Sequence, residues 1–398
     1  MAEAEFPSGF MKIFLGSEYE LARRQAREFA ERELRPVVRR FDEDESFPWD
    51  LWRRASELGY TGLMIPEDYG GSGTDPLLAA VIVEELSRGF PAFSLSLIAH
   101  FCLVGYNIAR EGGEDQRRRY LPVLASGKAI GAMGLTEPEA GSDATGIRTT
   151  ARRDGGYYVL NGVKTFITNA PIADIFLIYA KTSPEKGAHG ISAFIVERGF
   201  PGLSTSKPFE KMGNRASPTG EIYLNECRVP RENLVGEEDK GVYAMMRGLD
   251  IERIIISAIA LGIMQWSLEI SKEYASQRTQ FGRRIAEFQM IQGKLAEMAI
   301  LLEASRIYLY EAARKWGEKP GDRGIRGTAA SVKFFVWDAA EKVTREAIQV
   351  LGGYGYMREN IVEMLYRDAR LGPIGAGTAE IDKLVVFREL MLRGDFTV

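Results

Sequence analysis

The chain has 398 residues, 45% of them hydrophobic, with 51 Lys and Arg against 55 Asp and Glu for a net charge of -4. That length allows two or three domains with cores of their own, and a mildly acidic balance with no basic block argues against nucleic-acid binding. The longest apolar stretch, Ile254 to Met264 with Ser257 inside it, is too short to span a bilayer, and the N-terminus carries Glu3 and Glu5 with no apolar signal core. A cytoplasmic protein away from membranes is expected.

The first 129 residues read as a helical domain. Glu18 to Phe41 has apolar residues at helical spacing, Pro48 to Leu58 is a shorter amphipathic segment, and Leu77 to Arg88 and Ser94 to Glu111 resume the same period. Asp68 to Pro76 is a loop, dense in turn residues. Residues 130–240 change texture to short strands. Tyr157 to Leu160 and Val163 to Thr168 flank Asn161-Gly162, which predicts a hairpin, because a tight turn there needs positive φ at both central residues. Ile175 to Lys181, Ile191 to Val196, Leu203 to Lys207 and Glu221 to Cys227 add strands, suggesting a small antiparallel barrel or sandwich. Residues 241–398 return to long amphipathic runs, Val242 to Ser276, Glu287 to Trp316, Gly327 to Leu351 and Ala379 to Leu392, the pattern of a helical bundle. The expected class is α+β: helices, then strands, then helices.

Metal and histidine chemistry find little support. There are two cysteines, Cys102 and Cys227, and two histidines, His100 and His189, without CxxC or HExxH spacing, so no metal site is expected. His100 lies in an apolar helical stretch and reads as a core or pocket-lining residue, and His189 sits in a turn. Leu351-Gly-Gly-Tyr-Gly-Tyr356 follows a helix rather than a strand and reads as a helix end and turn, not a dinucleotide-binding motif.

Glu252 stands out among the carboxylates. Its helical neighbours are Met245, Gly248, Leu249, Ile255, Ile256 and Ile259, all apolar or without a side chain. A carboxylic acid on such a stripe has its pKa raised toward the range of a general base. A buried ion pair with a distant arginine fits the pattern equally well. Asp250 differs, with Arg247 and Arg253 at three residues' distance on either side to hold it ionised. Leu135-Thr-Glu-Pro-Glu-Ala-Gly-Ser-Asp143 is rich in hydroxyl and small residues, suited to close backbone approach to a ligand or to a plain connector.

Taken together, Leu135 to Asp143, Asn161 to Asn169, Arg278-Thr-Gln-Phe-Gly282 with Gln289, Gln349 to Gly353 and Gly377-Thr-Ala-Glu380 resemble the acyl-CoA dehydrogenase family in the same order along the chain. The resemblance implies a helical domain, a β domain and a four-helix bundle, assembled as a homotetramer, with FAD between the β domain and the bundle. It implies that Thr136 and Thr168 bond the flavin edge, that Phe166 lies against it, and that Met133, Leu135, Gly141 and Ser142 belong to the same binding segment. Ser142 would meet the flavin pyrophosphate or the substrate. Arg278, Phe281, Gln289, Gln349, Gly352 and Gly353 would grip the adenosine diphosphate portion, partly from a neighbouring subunit, and Thr378 and Glu380 would close the site.

One position departs from much of the family. Where many members carry a glutamate before the last Gly-Thr, this chain has Ala376. The isovaleryl-CoA and long-chain branches place the base on the first bundle helix instead, in a segment like Gly248-Leu-Asp-Ile-Glu-Arg253, which implies Glu252 as the base. The backbone N–H of Ala376 and a flavin ribityl hydroxyl would then stabilise the thioester oxygen. Gly375 and Ala376 imply room for a short, branched acyl group, as in catabolism of branched-chain amino acids or fatty acids, and Tyr243, Asp250 and Arg253 match substrate-contacting positions. Oxidases of this fold usually carry an added C-terminal region, so electron-transfer flavoprotein is the implied acceptor. The alternatives are a straight medium- or long-chain dehydrogenase and a non-enzymatic flavin- or CoA-binding relative.

Overall fold

A computed structural model describes residues 15–320 and 323–393; Glu3 and Glu5 lie outside it. The N-terminal helices are α1 (Ser17–Phe29), α2 (Val38–Asp44), α3 (Trp49–Glu57), α4 (Pro76–Ser87), α5 (Pro91–His100), α6 (Asn107–Glu111) and α7 (Glu114–Ala125). The single helix expected from Glu18 to Phe41 is broken: α1 runs into a π-helical turn over Ala30–Leu34 and stops before Pro36, whose missing N–H cannot continue the ladder. A second π-helical turn, Phe101–Tyr106, joins α5 to α6. Helix α4 starts where the sequence gives both signals: Pro76 opens its first turn, and the Asp75 carboxylate accepts from the Leu78 N–H at 2.8 Å. Helix α7 goes beyond the expected set; its arginine-rich first half and internal Pro122 blur the apolar stripe.

The middle region is one sheet. Its strands are β1 (Gly131–Gly134), β2 (Thr150–Asp154), β3 (Tyr157–Thr168), β4 (Ile175–Lys181), β5 (Ile191–Glu197), β6 (Leu203–Thr205), β7 (Thr219–Pro230) and β8 (Leu234–Val235), in the order β6-β7-β3-β2-β4-β5-β8 with β1 on β4. The sheet is mixed rather than antiparallel, because β1 and β2 both pair parallel to β4. The Asn161-Gly162 hairpin is absent. β3 runs straight through that dipeptide as one strand, with its register to β7 shifting between Leu160 and Gly162. Asn161 is held in the strand from the side: its amide donates to Glu226 at 2.7 Å, and its carbonyl oxygen accepts from the Glu226 N–H at 2.8 Å. The tight turn sits upstream at Gly155-Gly156, between β2 and β3, with Gly155 at φ 60°.

Alternate residues of β4 enter two cores. Phe176, Ile178 and Ala180 join the larger cluster, while Ile175, Leu177 and Tyr179 pack in a second cluster with Leu121 and Leu124 of α7 and with Val242 and Met245. The last two open the C-terminal region, which contains α8 (Gly241–Gln277), a small ribbon β9–β10 (Thr279–Gln280 and Arg283–Arg284), α9 (Gln289–Glu318), α10 (Arg326–Leu351), α11 (Val362–Ala369) and α12 (Ala379–Arg393). By length and hydropathy α8 would pass as a membrane span, contrary to the reading of its apolar run as too short. So would the α5–α6 run from Pro91 to Glu111, but 78% and 89% of their most apolar windows are buried inside the protein. Helix α8 lies close to its neighbours at its glycines. A Cβ on Gly248 would meet Asn107 at 2.8 Å, and one on Gly262 would meet the Glu84 carbonyl at 2.4 Å.

Candidate active site

Glu252 projects from α8 into the apolar surroundings its spacing predicts. It is 7% exposed, and Met245, Ile255, Ile256 and Ile259 beside it are buried. Among the described residues its carboxylate has no hydrogen-bond or ion-pair partner, so the alternative of a structural ion pair does not hold. Burial pushes its pKa up to about 7, offset in part by the positive charges of Arg253 and Lys333 and reinforced by Asp382.

The neighbouring charges are engaged with one another. Arg253 donates from Nη1 to Asp250 Oδ1 at 2.9 Å and from Nε to Asp382 Oδ1 at 3.1 Å. The second expected partner of Asp250, Arg247, instead binds Glu111 at 2.8 Å, and Arg326 takes its place at 3.3 Å. Burial raises the Asp250 pKa, and the Arg326 and Arg253 guanidiniums oppose that rise. Spacing on one helix gives no sign of Arg326 or Asp382, which arrive from α10 and α12. Lys333, in Ser331-Val-Lys-Phe334, carries a sequence signal of its own: Ala329, Ala330, Val336 and Trp337 flank it at helical spacing, the same pattern that marks Glu252.

The turn between α11 and α12 meets this cluster. Ala376 and Gly377 have φ of 54° and 94°, and the Gly377 carbonyl accepts from Lys333 Nζ at 2.6 Å. A Cβ on Gly375 would meet only Leu371, at an ordinary contact distance of 3.4 Å. Thr378 Oγ accepts from the Ile381 N–H at 3.3 Å at the start of α12, and Glu380 follows it, exposed. Tyr243 is 41% exposed at the start of α8, its hydroxyl 3.4 Å from His189 Nδ1. His100 is fully buried. Its Nδ1 accepts from the Gly131 N–H, its Nε2 donates to the Leu124 carbonyl, and burial lowers its pKa to about 4, so it is a neutral core residue.

A second group forms on the sheet. Thr136 follows β1, and its carbonyl accepts from the Thr165 N–H at 2.9 Å, bringing it beside Phe166 and Thr168 of β3. Beneath it the buried Glu137 accepts from Lys164 Nζ at 2.7 Å, the Thr149 hydroxyl at 2.6 Å and the Thr149 N–H at 3.0 Å. Lys164 also donates to the Leu135 carbonyl at 3.2 Å. Leu135 is in the core, Met133 and Thr136 are half-buried, and Gly141 and Ser142 are exposed. The segment is therefore braced from below and open above. Phe166 is held at φ 58° with its ring 70% exposed, edge-on to Phe209. An exposed aromatic face on a strand that also carries Thr168, joined through Thr165 to the Thr136 segment, fits a planar ring with an apolar face and polar edge, as in a flavin.

The remaining predicted residues gather elsewhere. Arg278, Phe281, Gly352 and Gly353 line a cleft of about 560 Å³ at the far end of α8 and α10, with Phe288 and Tyr354. Phe281 is 94% exposed, and Gly352 ends α10 at φ 59°, as a helix end and turn require. Gln289 opens α9 and Gln349 lies in the last turn of α10. None of the β-domain residues lines this cleft, so one chain presents the two groups separately.

An unpartnered buried carboxylate on the first bundle helix and an exposed aromatic platform on the sheet, in a helix–sheet–bundle scaffold, fit an enzyme of the flavin-dependent dehydrogenase class. Family profiles match in chain order: acyl-CoA dehydrogenase N-terminal domain over residues 16–128, middle domain over 132–227 and C-terminal domain over 239–391. The mitochondrial isovaleryl-CoA dehydrogenase of Oryza sativa subsp. japonica is 42% identical over 91% of this chain and 88% of its own. The short-chain specific acyl-CoA dehydrogenase of Clostridium acetobutylicum is 41% identical over 94% and 98%. The structure of butyryl-CoA dehydrogenase from Megasphaera elsdenii superposes with a TM-score of 0.92 at 39% identity, covering 96% of this chain and all of that one. The chain belongs to the acyl-CoA dehydrogenase family and is an FAD-dependent oxidoreductase.

Proposed function

We propose that this protein dehydrogenates a short, branched acyl-CoA to its 2-enoyl-CoA, with Glu252 taking the α-proton. The observation that carries this reading is an unpartnered, buried carboxylate with a pKa near 7 in a chain whose last motif has Ala376 where a base would otherwise stand. A base with a pKa near the working pH combines a useful ionised fraction with enough driving force for proton transfer. As the α-proton passes to Glu252, negative charge builds on the thioester oxygen. The Ala376 N–H, which has no acceptor among the described residues, is the proposed donor to it, and such preorganised donors are worth on the order of 3 kcal/mol. Bound FAD supplies the acceptor for the β-hydride. Thr136, Thr168 and Phe166 would hold its ring, with Met133, Leu135, Gly141 and Ser142 along the same segment. Arg278, Phe281, Gln289, Gln349, Gly352 and Gly353 would act on the adenosine diphosphate of FAD in a neighbouring copy. Tyr243, Asp250, Arg253, Gly375 and Ala376 are the proposed substrate positions, and Thr378 and Glu380 would close the site.

The small Gly375-Ala376 pair and the similarity to isovaleryl-CoA dehydrogenases support a branched acyl group. The similarity to short-chain and butyryl-CoA dehydrogenases favours a second reading, a straight short chain. An electron-transfer flavoprotein is the proposed electron acceptor, and a homotetramer the proposed assembly. Anaerobic titration with isovaleryl-, isobutyryl-, butyryl-, octanoyl- and palmitoyl-CoA tests the substrate. Fastest flavin bleaching is expected with a branched short chain, and fastest bleaching by palmitoyl-CoA would sink that choice. Glu252→Gln is expected to retain FAD and lose bleaching; a near-normal rate would remove Glu252 from the base role.

A further inference from the structure

Lys333 and Asp382 bring charge into a place where charge is costly, yet proton abstraction by Glu252 does not call on either. Lys333 is 1% exposed on α10, and Asp382 is 0% exposed on α12. Lys333 Nζ donates to Asp382 Oδ2 at 2.8 Å and to the Gly377 carbonyl at 2.6 Å. The other oxygen of Asp382 takes Arg253. Buried ion pairs seldom stabilise a fold more than apolar residues of the same volume would. With Ala329, Ala330, Val336 and Trp337 around it on the helix, a methionine would serve packing as well as Lys333 does.

What a methionine cannot do is grip a carbonyl. Ala376 and Gly377 both lie at positive φ, and an alanine stays there only where its surroundings over-determine it. The turn is tied at its entrance by the Gly375 N–H on the Leu371 carbonyl at 2.8 Å. At its exit the Asp382 N–H bonds the Thr378 carbonyl at 2.9 Å. Between these ties Lys333 holds the Gly377 carbonyl, and the Ala376 N–H is left without an acceptor among the described residues. We propose that Lys333 and Asp382 are a positioning pair for the dehydrogenation: Lys333 fixes the Gly377 carbonyl and so aims the Ala376 N–H, while Asp382 holds Lys333 and Arg253 in place and sets the charge felt by Glu252. This rests on the reading of Glu252 as the base and an acyl-CoA as the substrate.

The charges around Glu252 come from every element packed on it. Helix α8 contributes Asp250 and Arg253, α10 Lys333 and Arg326, and α12 Asp382, while the Phe101–Tyr106 turn adds Cys102 and β4 adds Tyr179. Three cations and two carboxylates leave one positive charge, which an ionised Glu252 balances. Lys333 favours that ionised form and Asp382 opposes it. Neutralising them therefore moves Glu252 in opposite directions, a signature that loosening of the fold does not produce.

The test uses the FAD-loaded protein as wild type, Lys333→Met, Asp382→Asn and the double variant Lys333→Met/Asp382→Leu, which leaves neither partner orphaned. The readouts are FAD content, Tm, binding of isovaleryl- and butyryl-CoA, deuterium exchange at their α-carbon by NMR, and bleaching, across a pH range of about 5 to 9. In Lys333→Met, exchange is expected to slow by about tenfold to a hundredfold, with Kd changing by less than about threefold. Its pH midpoint rises, whereas that of Asp382→Asn falls. The double variant folds, keeps FAD and stays slow. Midpoints that move together or not at all, or a double variant that exchanges at the wild-type rate, overturn the proposal. A wild type that neither exchanges nor bleaches with any acyl-CoA overturns the functional reading and this inference with it, while normal variants beside an active wild type overturn the inference alone.

Discussion

A carboxylic acid buried without a partner binds its proton more tightly in the folded than in the unfolded chain, and for Glu252 this governs both rate and stability. Its pKa stands near 7 when folded, against 4.5 for an ordinary glutamate. Only the ionised form accepts the α-proton, so the bleaching rate is expected to rise with pH through a midpoint near 7, and stopped-flow absorbance across that range checks it. Stability runs the other way. Between pH 4.5 and 7 the folded state keeps a proton the unfolded state has lost, so the protonated carboxyl's contribution is complete below 4.5 and gone above 7. Glu252→Gln removes the charge that burial opposes and is expected to stabilise the protein at pH 8 by on the order of 3 kcal/mol, with the gain vanishing near pH 4.5. Asp368, also raised to about 7 by burial, is unchanged in this comparison and cancels. Thermal unfolding of both proteins at the two pH values gives the answer, and a destabilised variant at pH 8 would contradict it.

At the scale of elements, the sequence was legible wherever one element settles its own period. Strand β4 runs from Ile175 to Lys181 as its apolar run predicts, and α8 to α10 lie within a few residues of their amphipathic runs. The errors come from partners distant in sequence. Asn161-Gly162 has the composition of a turn, but Glu226 on the next strand captures the asparagine and keeps β3 straight. Asp382 and Arg326 join the Glu252 surroundings from helices that begin far down the chain, so no local spacing announces them. The brace under residues 135–143 is of the same kind, since Lys164 on β3 meets Glu137 after β1 with both buried. Lys164→Met leaves that carboxylate without its cation and is expected to cost on the order of 3 kcal/mol and to lower FAD retention. Thermal unfolding and the ratio of flavin to protein absorbance measure the two effects, and full FAD content with unchanged Tm would show that the segment stands without its brace.

At the scale of the molecule, the bundle leaves large apolar side chains uncovered. Phe281 is 94% exposed, Met290 81%, Tyr356 83% and Met391 66%. The proposed homotetramer would cover such side chains with further copies of the chain. Light scattering is expected to give a mass about four times that of one chain, and a monomer that keeps its FAD would overturn the assembly. Inside the chain, the two-sided burial of β4 has a consequence for modularity. Its odd-numbered residues lodge against α7 and α8, and its even-numbered ones in the other core. The sheet thus has no weatherproof face at its centre. Cut out as residues 130–240, it would expose Ile175, Leu177, Tyr179, Ile191 and Ile195 as one greasy stripe. The three regions are therefore not interchangeable cassettes: grafting a foreign middle segment between these helices would require its central strand to match both flanking walls at once.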